Sequence, residues 1–174
     1  MLTSIPTVDH VLNHHASAMR DDFVPYRNHV YRIVNLCVAI AGPGELEKIA
    51  VAAAFHDLGI WTGGTFDYIA PSIELARQYL VQSGHGDWTA EIEAMIANHH
   101  KVTSIGEQHS LIEAFRRADW IDVTCGLRRF GIPHSFVSQL FATWPSAGFH
   151  WRLVTLTFDR FVHHPLSPLP MVRL

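Results

Sequence analysis

The sequence predicts an all-α, single-domain orthogonal helical bundle, on three observations. Apolar residues recur at helical intervals along nearly the whole chain. No stretch keeps the strict alternation of a half-buried strand, and no Pro/Gly/Ser tract or charge run marks a linker. At 174 residues, 48% of them hydrophobic, the chain has enough apolar material for one good core.

Each element follows from local signals. A first helix is expected from about Thr7 to Met19, with Pro6 near its start. A second begins near Pro25, carries Val30, Ile33, Val34, Cys37 and Ile40 on one face, and stops at Gly42-Pro43. The third, ELEKIAVAAAFHDL from Glu45 to about Leu58, opens acidic, as suits the helix dipole, turns apolar, and ends at Gly59. After the loop IWTGGTFDYIA, Pro71 or Ser72 starts a helix with Ile73, Leu75, Ala76, Tyr79 and Leu80 inward, closed by Ser83-Gly84. The next runs from about Trp88 to His100 with Ile92, Met95 and Ile96 inward. Ser110 and Glu113 have capping-box spacing and open a helix to about Thr124. Helices at His134–Thr143 and Gly148–Phe161 and the proline-spaced tail PLSPLPMVRL, expected to lie extended on the surface, complete a C-terminal cap over 127–174.

Composition narrows the function. The formal net charge is −3 without a Lys/Arg run, so no nucleic-acid polymer is expected as a partner, although one phosphate in a pocket stays open. No segment reaches the ~18 uninterrupted apolar residues of a membrane span. The opening MLTSIPTVDHVLNHH lacks the basic start and apolar run of a signal peptide. Cys37 and Cys125 sit in apolar helical patterns and are expected to be reduced core residues. A cytoplasmic protein is the expectation. Thirteen histidines are unusual, and their positions must decide what they do.

The sharpest feature is His56-Asp57, emerging from the apolar run AVAAAF. Such a pair is costly to bury without a partner, and a divalent cation takes imidazole nitrogen and carboxylate oxygen together. His29 lies in register with the stripe Val30, Ile33, Val34. Asp119 lies at helical spacing from Phe115, and His99-His100 end a helix three and four residues after Ile96. Four separate helices thus place His or Asp beside a buried stripe, the way bundles build metal sites.

With these residues the sequence resembles the HD-domain superfamily, whose pattern H…HD…D matches His29, His56-Asp57 and Asp119 over a core motif region of 26–126. The resemblance implies a bundle of the HD-domain type and a metal-dependent phosphohydrolase, with a minority of other chemistries. The departures are informative. Where some members place a histidine for a second metal, this chain has Ser72, a poor ligand, so one divalent ion (Mn, Fe, Zn, Co or Ni) is expected, held by His29, His56, Asp57 and Asp119. The acidic residue that 5′-nucleotidase-like members carry after HD aligns near Ile60 and is absent. So are the lysine of HDxGK and the GYP signature of cyclic-di-GMP hydrolases.

In the hydrolase reading, a metal-activated water attacks a small phosphorylated molecule, a nucleotide or other phosphate ester. His99 or His100 delivers the leaving-group proton, with His99 favoured as the inward member. Arg32, three residues after His29, and Lys101 are the candidate phosphate contacts, and the competing role for Arg32 is an ion pair with Asp122. Trp61, Phe66 and their glycine-containing loop either define specificity or pack the bundle end. His14-His15 and His163-His164 lie outside the motif and are expected at the surface. Two other enzyme classes stay open: a di-iron oxygenase on the same scaffold, and a mononuclear hydratase or lyase acting on a small nitrile-like substrate. A non-catalytic binding module is the remaining class. Composition leaves oligomeric state open.

Overall fold

Packing demands, more than local propensity, decide where this chain starts and stops its helices. The computed structural model describes residues 1–64, 67–107, 110–163 and 165. Phe66, His164 and the proline-spaced tail beyond residue 165 lie outside the described residues. Helix α1 (Pro6–His14) opens on a proline, whose missing N–H costs nothing in a first turn. The single helix expected over Thr7–Met19 is broken at His15, and the chain resumes as α2 (Ala16–Met19). The break lets α1 pack on α4 (Leu46–Phe55) while α2 packs on α5 (Gly59–Thr62), which one straight rod would not do.

Helix α3 (Phe23–Ala41) stops at Gly42, whose φ of +89° disfavours any side chain, before Pro43. In α4 every residue from Ile49 to Phe55 is buried, and four alanines let neighbouring helices approach closely. This helix ends at Phe55 rather than Leu58, because His56, Asp57 and Leu58 form a turn that leads into α5. Helix α6 (Ile69–Gln82) starts two residues before Pro71, and α7 (Thr89–Asn98) ends just short of His99-His100.

Ser110 caps α8 (Leu111–Val123) by accepting from the Glu113 amide at 3.3 Å. Glu113 does not return the bond. Its carboxylate accepts from the Ile105 amide, Arg116 and Arg117, so only half of the expected capping box forms. Helices α9 (His134–Thr143) and α10 (Phe149–His163) complete an all-helical chain, with no strand among the described residues.

Helix α4 sits at the centre, touched by α1, α3, α6 and α7, while α3 lies along α8. Their apolar faces share one continuous core. The segment linking α9 to α10 covers one flank of α3: Trp144 stacks on Tyr31 with ring centroids 4.1 Å apart, and the Pro145 carbonyl accepts from Asn28 Nδ2 at 2.8 Å. Cys37 is a free core residue as expected. Cys125 is free but exposed, because α8 ends before it and it turns away at φ +50°. No helix among the described residues is long and apolar enough to cross a membrane.

Candidate metal centre

The turn that ends α4 sets the site. His56 and Asp57 leave the helix facing α3 and α8, and both are buried. Gly59, two residues on, is required there: a Cβ would lie 2.4 Å from the Tyr68 carbonyl and 2.9 Å from Ser72 Oγ. Helix α3 supplies His29, the end of α7 supplies His99 and His100, and α8 supplies Asp119. His56 Nε2 lies 3.0 Å from His29 Nε2 and 3.3 Å from Asp57 Oδ2. Asp119 Oδ1 lies 3.9 Å from His29 Nε2, His99 Nε2 3.3 Å from Asp57 Oδ1, and His100 Nδ1 3.3 Å from Asp119 Oδ2.

Each imidazole uses one nitrogen outside this cluster. His29 Nδ1 pairs with Asp122 Oδ2 at 2.6 Å, His56 Nδ1 with the Ala53 carbonyl at 2.8 Å, and His99 Nδ1 with the Ile96 carbonyl at 2.6 Å. Carbonyls and an ionised carboxylate only accept, so these three Nδ1 atoms carry protons and the Nε2 lone pairs face inward. His100 Nε2 meets the Tyr68 hydroxyl at 2.6 Å, leaving Nδ1 for the site. Outer partners of this kind fix ring orientation and tautomer in metal centres.

The inward donors are under-satisfied. Asp57 Oδ1, His99 Nε2 and both Asp119 oxygens are buried with no hydrogen-bond partner. A buried polar atom left unpaired costs ~1–3 kcal/mol, and more when charged. Two donor groups gather to within 4.8 Å, His29/His56/Asp57 and Asp57/His99/His100, with Asp57 common to both. Imidazole nitrogens mixed with carboxylate oxygens suit a divalent ion of borderline character, so the residues present fit such an ion.

The electrostatics agree. Burial lowers the His56 pKa, but the Asp57 and Asp119 carboxylates more than offset it and raise it to about 9. Without a metal, therefore, His56 favours its protonated form between the two carboxylates, with His29 Nε2 facing it at 3.0 Å. Burial opposes ionisation of Asp57 and Asp119, yet neighbouring imidazoles hold both below the usual carboxylate range, His56 foremost for Asp57 and His100 for Asp119. Burial depresses His29 and His99, which favours their neutral, ligating forms.

The expected metal ligands His29, His56, Asp57 and Asp119 come together, and so do His99 and His100; both members of that pair face the cluster. Arg32 does not. Its guanidinium is fully buried, pairs through Nε and Nη2 with Asp122, and donates from Nη1 to the Trp144 carbonyl at 2.8 Å. Of the two roles expected for Arg32, the ion pair with Asp122 on α8 is the one that forms. Lys101 contributes its backbone carbonyl, which accepts from Arg116 and Trp120, both at 3.1 Å. Ser72 is buried with its Oγ accepting from the Gly59 amide at 3.0 Å, an anchor rather than a ligand. Trp61 packs on Tyr26 at 4.6 Å between centroids and donates to Asp22.

Three supporting residues escape the sequence reading in these roles. Asp122 aims His29, Tyr68 meets His100, and Phe149 stacks flat on His29 at 4.0 Å and 16°. Only Asp122 left a trace, one helical turn beyond Asp119. No family model, curated protein or solved structure matches the chain.

Proposed function

We propose that this chain is a metal-dependent hydrolase of a small phosphorylated molecule. The observation behind the reading is the inward set of three oriented Nε2 lone pairs, His100 Nδ1 and two carboxylates, with Asp57 Oδ1 and both Asp119 oxygens buried without hydrogen-bond partners. His29, His56, Asp57 and Asp119 would hold one divalent ion, which when bound supplies Lewis acidity and a water of lowered pKa. Asp122 and Phe149 hold the His29 ring in place, and the Ala53 carbonyl does the same for His56. His100 is the one donor with appreciable exposure, its side chain 17% accessible. Its Nε2 bond to Tyr68 and Nδ1 approach to Asp119 place it to hand a proton to a leaving group. With Arg32 committed to Asp122, phosphate recognition rests on the ion rather than on a guanidinium. The phosphate-ester class itself comes from the resemblance to the HD superfamily.

A second reading is favoured by the donor group Asp57/His99/His100, which is complete without Ser72. With two irons sharing Asp57, the same bundle would act as an oxygenase, and His100 would be a ligand rather than an acid. Elemental analysis of tag-free protein separates the two. About one ion per chain, lost with phosphate-ester turnover in Asp57→Ala, supports the hydrolase. Two irons with oxygen consumption replace it by the oxygenase, and a fully active Asp57→Ala refutes both.

A further inference from the structure

Three histidines outside the donor cluster line a surface cavity. His10 and His14 stand at i and i+4 on α1, so their imidazoles leave the same helix face one turn apart. His15 follows at the end of that helix, its ring edge-on to His14 with centroids 4.8 Å apart. With Gln78 and Gln82, at the same interval on α6, they line a cavity of about 170 Å³ walled by Phe55. A water needs only ~10–15 Å³ of such space, so an ion with bound water fits. His10 and His14 are exposed, which lets their rings reorient at little packing cost. His15 is half-buried, and burial, with His14 second, lowers its pKa and keeps its ring neutral near pH 7.

We propose that His10 and His14 chelate a divalent transition ion (zinc, nickel or copper) at this cavity, with Gln78 or Gln82 supplying an oxygen from α6. Neutral imidazoles select these ions over magnesium or calcium. An i, i+4 histidine pair is how a single helix grips zinc. Both α1 and α6 pack on α4, so the ion ties its two flanking helices together across Phe55. As placed, the three imidazoles do not bring three donor atoms within 4.8 Å of one another. The site is accordingly a two-imidazole chelate completed by a carboxamide and water, weaker than the buried centre and independent of how that centre is read.

Equilibrium dialysis of the tag-free chain against Ni²⁺, followed by elemental analysis, decides the matter. The wild type takes up one more Ni²⁺ than His10→Ala/His14→Ala, and each single variant binds that ion ~10-fold or more weakly, since one imidazole makes no chelate. Saturating Ni²⁺ raises the melting temperature of Asp57→Asn, which lacks the central ion, and this rise disappears when His10→Ala and His14→Ala are added. Equal Ni²⁺ uptake by the wild type and the double variant overturns the proposal. So does retention of the additional ion in the double variant together with its loss in Asp57→Asn.

Discussion

Consider Asp122→Asn. In the wild type this buried carboxylate accepts from His29 Nδ1 at 2.6 Å and from Nε and Nη2 of Arg32, and the guanidinium holds the Asp122 carboxyl well below the usual range against the effect of burial. Asparagine keeps the shape but replaces one acceptor oxygen with a donor NH₂ that must face a donor of His29 or Arg32. Removing one partner of a buried ion pair costs ~3–5 kcal/mol. Arg32 keeps the Trp144 and Pro145 carbonyls, so the loss falls near the lower end, ~3 kcal/mol. Loss of an outer-shell partner costs ~10–100-fold in metal affinity. Urea unfolding of chelator-treated protein reads the first effect, and competition with a chelating dye on folded protein reads the second. Arg32→Met/Asp122→Leu removes the stranded charge and recovers much of the stability, because apolar replacement of both partners is near neutral. It does not restore affinity, because leucine offers His29 Nδ1 no acceptor. A folded Asp122→Asn that binds metal like the wild type, or a double variant that regains affinity, refutes the assignment of Asp122 as the residue that aims His29.

Chelator-treated protein is expected to lose stability as pH rises from 6.5 through about 9. The folded His56 pKa lies above its unfolded value, so its contribution is full below 6.5 and vanishes above 9. The buried His29 and His99, shifted downward, weaken the fold instead as pH falls below 6.5, and metal loading removes the alkaline loss; a flat urea midpoint between pH 6.5 and 9 in the chelated chain would contradict the His56 assignment. Tyr68→Phe keeps the ring packing and deletes the hydroxyl at His100 Nε2, so turnover should fall roughly tenfold with the tight ion retained and stability changed by no more than ~1 kcal/mol. Unchanged turnover with an unchanged pH profile would remove Tyr68 from the mechanism. Gly59→Ala drives a Cβ into the Tyr68 carbonyl and should cost ~2 kcal/mol or more by thermal melting, with a wild-type melting temperature as the contrary result.

What the sequence made legible is a matter of range. Helix faces are local: His29, Asp119 and the His99-His100 pair sit at helical spacing from Val30, Phe115 and Ile96, so periodicity alone placed them beside the core. Their mutual approach needed one further premise, that facing helices share a buried centre. The partners are long-range, and only Asp122, one helical turn beyond Asp119, left a periodic trace. His29 meets Asp122 from 93 residues away, and Tyr68 reaches His100 across 32. Arg32 shows the limit most sharply. Its spacing from His29 correctly puts it on the inner face but leaves two roles open, a phosphate contact or an ion pair with Asp122, and the fold sets the ionised aspartate opposite it. The helix boundaries failed for the same reason. Residues 15 and 56–58 have no strong breaker, and the chain leaves the helix there because α2 must meet α5 and His56-Asp57 must face α3 and α8. In this bundle periodicity assigns the face, and tertiary charge pairing decides which of the residues on it remain free for chemistry.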